Sequence, residues 1–230
     1  MSAKQGNDSG KPLIIGVAGG TGSGKTTVAQ HIVNNIGENR AALIQYDSYY
    51  KDQSERPPEE RARINYDHPD ALDNDLLYYH LQELSAGRPI DMPCYDFKID
   101  NRTSQTIRVL PYPVIVVEGI LAFYDERIRS MMGLKIFVDT DADLRFIRRL
   151  RRDVAERGRS VDSVIDRYLS TVRLMHLEFI EPTKRFADLI IPEGGFNMPM
   201  LLDRLVRLLR EFDRGKQEEL VREAQNHIAL

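Results

Sequence analysis

Hydrophobic residues gather along this chain in short unbroken runs. "PLIIGVA" at 12–18, "AALIQY" at 41–46, "PVIVVEG" at 113–119, "LKIFVD" at 134–139 and "ADLIIPEG" at 187–194 lack the alternation of a strand with one wet face. Strands of this kind belong to a sheet covered on both sides, which predicts a largely parallel α/β fold with helices between the runs. After the first run, Val28, Ala29, Ile32, Val33 and Ile36 fall on one helical stripe and Gly37 supplies a stop. The interval 48–112 breaks the rhythm. A charged, proline-interrupted loop leads to a helix near 74–86, then to two extended segments, "RPIDMPCYDF" and "RTSQTIRVLP", around a polar "KIDN" turn. That predicts a β-hairpin inserted between core strands at about 88–110. Leu201, Leu202, Leu205, Leu208 and Leu209 predict a further helix, followed by a polar helical tail carrying Leu220, Val221, Ala224 and Ile228.

The expected organisation is a flexible start at 1–11, one domain at 12–212 and the tail at 213–230, a size suited to one large domain with an insertion. Hydrophobic residues at 42% and charged residues at 29% describe a globular chain with enough apolar material for a core. Lys plus Arg number 32 against 35 for Asp plus Glu, so there is no basic surplus of the kind that holds long nucleic acid. No apolar run approaches the length that crosses a bilayer, so no membrane partner is expected. A single cysteine, Cys94, and a polar opening "MSAKQGNDSG" point to the reducing cytoplasm rather than to export.

Between the first strand and the first helix stands "GGTGSGKT": Gly19, Gly20, Thr21, Gly22, Ser23, Gly24, Lys25 and Thr26, with Thr27 following. Glycines let successive backbone N–H groups converge on phosphate oxygens, and the first helical turn adds its own unpaired donors. Lys25 suits the β- and γ-phosphates of ATP or GTP, and the Thr26 hydroxyl suits Mg²⁺. An Asn-Lys-x-Asp guanine motif and a Leu-Ser-Gly-Gly-Gln signature are both absent, which favours a small-molecule kinase over a switch or a transport motor.

Asp47 and Glu118 close two of the apolar runs, at the sheet rim where ligands of open α/β folds collect. Phosphoryl transfer to a hydroxyl needs a carboxylate to take the proton and others near the metal. Asp47 is expected as the base and Glu118 as metal-associated; the exchanged assignment, or a helix cap for one of them, stays open. The stretch 145–159 holds seven arginines against Asp153 and Glu156. Arg145, Arg149 and Arg152 share a helical side and Arg157 and Arg159 follow, so 145–167 is expected to form a lid over triphosphate. The competing reading is a solvated face with ion pairs to the two acids.

The phosphate loop together with "QYDSYYKD", "NYDHPDALDND", "YDF", "VEGILAF", "FVDTDADLRFIRRLRRDVAERGRS" and "EPTKRFADLIIPEGG" resembles the uridine kinase (uridine-cytidine kinase) family over about 12–210. The resemblance implies a P-loop kinase fold with a five-stranded parallel sheet and a β-hairpin over the nucleoside, assembled as a homotetramer. It further implies transfer of a phosphoryl group from ATP or GTP, with Mg²⁺, to the 5'-hydroxyl of uridine or cytidine in pyrimidine salvage. Carried onto this chain, Lys25 and Thr26 serve phosphate and magnesium, Asp47 is the catalytic carboxylate and Glu118 an acid of the magnesium site. Tyr50 and Asp67 stand near the ribose, while Tyr66, Tyr95, Phe97 and Ile120 shape the nucleoside pocket. Arg149 and Arg152 approach substrate or phosphates, Arg157 the triphosphate and Arg159 the nucleoside. Apart from the resemblance, Tyr66, Tyr95 and Phe97 read equally as hairpin packing.

Two positions depart from the family pattern, both at the end expected to read the base. Asp100 stands where the family usually has histidine, and Arg167 where it usually has glutamine. Their opposite charges suggest a pair across the pocket, replacing the usual contacts, reading another base or filling the space. The alternative leaves one or both in solvent.

Overall fold

The protein is represented by a computed structural model that describes residues 11–37, 39–61, 63–192 and Arg207. Five strands form one parallel sheet in the order β2-β5-β1-β6-β7: β1 (Leu13–Gly19), β2 (Ala41–Gln45), β5 (Val114–Glu118), β6 (Leu134–Asp139) and β7 (Leu189–Pro192). This bears out the fold class and accounts for the unbroken apolar runs. Ile115 and Val117 of β5 join the core on one face, with Leu77 and Leu81, while Val114 and Val116 join the core on the other, with Val28 and Ile32. Both faces being dry, neither parity of residue along the strand can be polar. Helix α1 (Lys25–Ile36) covers the second face with the predicted stripe and stops at Gly37, whose φ of 112° and N–H bond to the Val33 carbonyl close the last turn.

The insertion begins with the short α2 (Pro58–Arg61) and α3 (Asn74–Ser85). Asp73 starts α3 by accepting from the Leu76 N–H at 3.1 Å, and Leu77, Leu81 and Leu84 face inward. The hairpin pairs β3 (Ile90–Asp96) with β4 (Asn101–Val109), with a register shift between Pro93 and Tyr95. Proline has no N–H for the ladder, so an irregularity is expected there.

A short α4 (Glu126–Ser130) precedes β6, and α5 (Ala142–Ala155) follows it. Helix α5 is turned inside out. Its buried positions are Arg145, Arg149 and Asp153, spaced four apart, whereas Leu144, Ile147 and Val154 are exposed. The lid expectation therefore needs correction at Arg145, which lies beneath the phosphate loop, and the solvated-face reading fails at Asp153, whose ion pairs are internal. Beyond α5, α6 (Val161–Arg167) runs on through π-helical turns at Tyr168–Val172 and His176–Ile180. Among the described residues no helix is long and apolar enough to cross a membrane. The expected leucine helix at 201–209, Arg207 excepted, and the tail at 213–230 lie outside the described residues, as does nearly all of the flexible start.

Candidate active site

The chain leaves β1 through Gly19–Gly24 and enters α1 at Lys25. Gly22 (φ 77°) and Gly24 (φ 94°) take left-handed backbone that an L side chain would strain. The turn closes with the Ser23 N–H on the Gly20 carbonyl at 3.0 Å. Thr140, just beyond β6, ties the loop down through its hydroxyl, which donates to the Ser23 carbonyl at 2.9 Å. Among the described residues no side chain caps the first turn of α1, and the buried Ser23 hydroxyl has no hydrogen-bond partner. Unspent donors at the positive end of a helix fit a phosphate group.

Beside Lys25 stand the acids. The Thr26 hydroxyl donates to Glu118 Oε2 at 3.2 Å. Burial pushes the Glu118 carboxyl up, with Lys25 pulling it down and Asp47 pushing it further up. The Asp47 and Glu118 carboxylates beside the Thr26 hydroxyl are an all-oxygen donor set that Mg²⁺ would satisfy along with phosphate oxygens. Among the described residues no three His, Cys, Asp or Glu side chains cluster into a self-sufficient metal cage.

One cavity runs from this edge to the hairpin. Its walls include Thr21, Lys25 and Asp47 at the phosphate end, Arg149, Arg152 and Arg157 on one side, and Tyr50, Asp67 and Ile120 near the middle. Tyr66, Tyr95, Phe97, Asp100, Arg159 and Arg167 line its far end. The aromatic rings pack edge to face for Tyr50 and Tyr66 (centroids 5.3 Å apart) and for Tyr95 and Phe97 (5.1 Å), and tilted for Tyr50 and Tyr95 (5.0 Å). These rings thus pack against one another and also line the cavity. Arg157 lies 3.9 Å over the Phe97 ring. Asp67 is buried, which raises its carboxyl against the pull of Arg149 and Arg167, and Arg149 Nη1 lies 3.9 Å away.

The two departures from the family pattern both line this far end. Asp100 closes the hairpin turn at φ 49° and accepts from Arg159 Nη2 at 3.1 Å, a partner not expected for it. Its carbonyl accepts from the Tyr66 hydroxyl at 2.9 Å. Arg167 donates to the Ile64 carbonyl at 3.0 Å and lies 5.9 Å from the Tyr66 ring centre. Burial and the neighbouring Arg159 lower its basicity, while Asp100 and Asp67 support its charge.

Sequence reasoning placed arginine ion pairs to Asp153 only on a solvated face and missed that this acid is buried and gathers three of them. Asp153, fully buried, meets Arg152 at 2.8 Å and both Arg149 and Arg157 at 3.4 Å. Burial alone would raise its carboxyl, but the three guanidinium groups outweigh burial and hold it below the usual range. The available signal was a lone acid directly after "RRLRR". Asn101 was missed too: buried, it accepts from the Gln53 N–H at 2.7 Å and fastens the 52–54 loop to the hairpin.

The Phosphoribulokinase / Uridine kinase family model matches residues 14–198. A uridine kinase of Chloroflexus aggregans is 63% identical over 195 residues, covering 85% of this chain and 93% of the relative. One from Brevibacillus brevis is 60% identical over 188 residues, covering 82% and 88%. Among solved structures, phosphoribulokinase from Rhodobacter spheroides superposes with a TM-score of 0.59 at 19% identity, over 80% of this chain and 71% of the other, a likeness of fold. The family match over most of the chain, with a phosphate loop, paired acids and arginines around one cavity, places this chain in the phosphoribulokinase/uridine kinase family of phosphotransferases.

Proposed function

We propose that the protein phosphorylates the 5'-hydroxyl of a pyrimidine ribonucleoside, uridine or cytidine, using ATP (or GTP) and Mg²⁺ and giving UMP or CMP. The observation that carries this reading is the single cavity joining Lys25 and Asp47 to an aromatic end built by Tyr66, Tyr95 and Phe97. The loop amides and Lys25 bind the triphosphate, and Arg149, Arg152 and Arg157 supply charge along its flank. Thr26, Asp47 and Glu118 would hold Mg²⁺, which when bound offsets charge on the phosphate oxygens. The aromatic rings grip the base and Asp67 accepts from ribose hydroxyls. As the 5'-oxygen attacks the γ-phosphorus, its proton passes to Asp47, and the bond to the β,γ-bridging oxygen breaks to release the nucleoside diphosphate. Segment 145–167, Arg145 excepted, closes over the nucleotide, the active assembly is a homotetramer, and the enzyme works in the cytoplasm.

The Asp100–Arg159 ion pair beside Arg167 favours a second reading of the acceptor alone, in which the charged end selects a base other than uracil or cytosine. A panel of ribonucleosides, deoxyribonucleosides and sugars, assayed with ATP and Mg²⁺, tests both. The leading reading requires uridine or cytidine to give the highest kcat/KM; a purine nucleoside or a sugar in that place would refute it. Nucleotide binding with no acceptor turned over would instead mark a sensor.

A further inference from the structure

The buried face of α5 carries a guanidinium with no counter-charge. Arg145 is packed away from solvent, and among the described residues no carboxylate lies within ion-pair distance of it. Among the described residues its side chain bonds two groups: Nε donates to the Thr140 carbonyl at 3.0 Å, and Nη2 meets His176 Nε2 at 3.1 Å. Its other neighbour is the phosphate loop. A methyl group built at Gly20 would sit 2.9 Å from Arg145 Cζ, and one at Gly22 would strike the Arg145 carbonyl. Thr140, which accepts from Arg145, also holds the Ser23 carbonyl. The loop therefore rests on Arg145, and Arg145 rests on His176.

Arginine can only donate, so a hydrogen bond here requires His176 Nε2 to offer its lone pair and the ring proton to sit on Nδ1, a buried nitrogen without a hydrogen-bond partner among the described residues. Glu181 Oε2 lies 3.3 Å from the same Nε2 and could bond there only if that nitrogen were protonated. One nitrogen thus faces two rival partners, a donor from α5 and an acceptor from the segment after the π-helical turn. Lys184 draws Glu181 away at 3.5 Å while bonding Asp139 at 2.5 Å. Burial, then Arg145, pull the imidazole down to about 4, with Glu181 and Asp139 acting the other way, so the neutral ring that accepts from Arg145 prevails near neutrality.

We propose that His176 is a positioning residue for nucleotide binding: as a neutral acceptor it orients Arg145, and Arg145 holds the phosphate loop in the shape that receives the triphosphate. His176 does not line the cavity and touches no reacting atom. The inference rests on the loop being a nucleoside triphosphate site.

Calorimetry of the full chain with a nonhydrolysable ATP analogue and Mg²⁺, beside the KM for the acceptor, tests it. Losing one charge-assisted hydrogen bond from His176→Leu should weaken analogue binding on the order of tenfold. The acceptor KM should stay near that of the unmodified enzyme, and His176→Gln, whose amide oxygen can still accept from Arg145, should recover most of the loss. Unchanged analogue binding in His176→Leu, equal losses for analogue and acceptor, or a glutamine variant as impaired as the leucine one would each overturn the proposal. Should His176→Leu fail to fold, nitrogen NMR of the unmodified protein decides: a proton on Nδ1 of a neutral ring supports the assignment, and one on Nε2 overturns it. An unmodified enzyme that bound no triphosphate would remove the proposed function as well, whereas normal binding with an insensitive His176 removes this inference alone.

Discussion

Lys25 and Asp47 line the same end of the cavity, yet their loss should be felt at different steps. Lys25→Ala removes charge that meets phosphates in ground state and transition state alike, so both analogue affinity and kcat should fall. Asp47→Asn should leave analogue affinity intact and lower kcat by about 10²- to 10⁴-fold, the range of a lost general base. Calorimetry paired with steady-state kinetics separates the two, and a near-normal kcat in Asp47→Asn would remove its role as base. Asp153 and Glu118 differ in sign. The Asp153 carboxyl is depressed in the fold, so its stabilisation is complete above its unfolded value and disappears as pH falls through the folded one. Asp153→Asn leaves three arginines without their buried acid and should cost about 3–5 kcal/mol at neutral pH, read by urea unfolding. The Glu118 carboxyl is raised, so its charged form costs stability as pH climbs through the folded value. Glu118→Gln should therefore be at least as stable as the native enzyme at neutral pH while losing turnover; a clear drop in Tm would contradict this.

Helix α5 and the hairpin meet the cavity as elements, and their contributions were legible to different degrees. The strands and the phosphate loop were plain in the sequence because a sheet buried on both faces permits only apolar runs, and a phosphate cradle permits only glycine at its tightest turns. The pocket residues were legible only through family strings, since Tyr66, Tyr95 and Phe97 carry no period that distinguishes a ligand wall from hairpin packing. Helix α5 was misleading for a physical reason. Helical periodicity presumes that apolar residues turn inward, but here Arg145, Arg149 and Asp153 do, because that side faces the phosphate loop and the cavity. Arg159 as the partner of Asp100 was hidden because the two lie 59 residues apart on different elements, and Arg167 offered the same charge. The pair should be energetically coupled. Asp100→Asn and Arg159→Gln should each raise the acceptor KM, and a double-mutant cycle on kcat/KM should depart from additivity by more than about 0.5 kcal/mol. Additive effects would show the contact to be idle in the working enzyme.

At the scale of the whole molecule, two cores share one sheet. Ile115 faces one and Val116 the other, both fully buried on β5, an inner strand between β2 and β1. Ile115→Ala should cost about 2–5 kcal/mol and Val116→Ala somewhat less, because the smaller side chain leaves the smaller cavity. Since neither touches the cavity, turnover per folded molecule should be unchanged, and a selective loss of kcat in either would mean that the cores transmit strain to the site. The parallel strands also bring the phosphate loop, Asp47 and Glu118 to one edge, while the far end of the cavity is built by the insertion before β5 and by residues after α5. The left-handed turn at Asp100 gives that division an evolutionary edge. Aspartate, asparagine, histidine and glycine enter such a backbone readily, and β-branched residues scarcely do. The position that carries charge to the far end can therefore be rewritten only in a short alphabet, mostly of groups that form hydrogen bonds, so under the proposed function single substitutions there would change what is phosphorylated while the phosphate loop stays untouched.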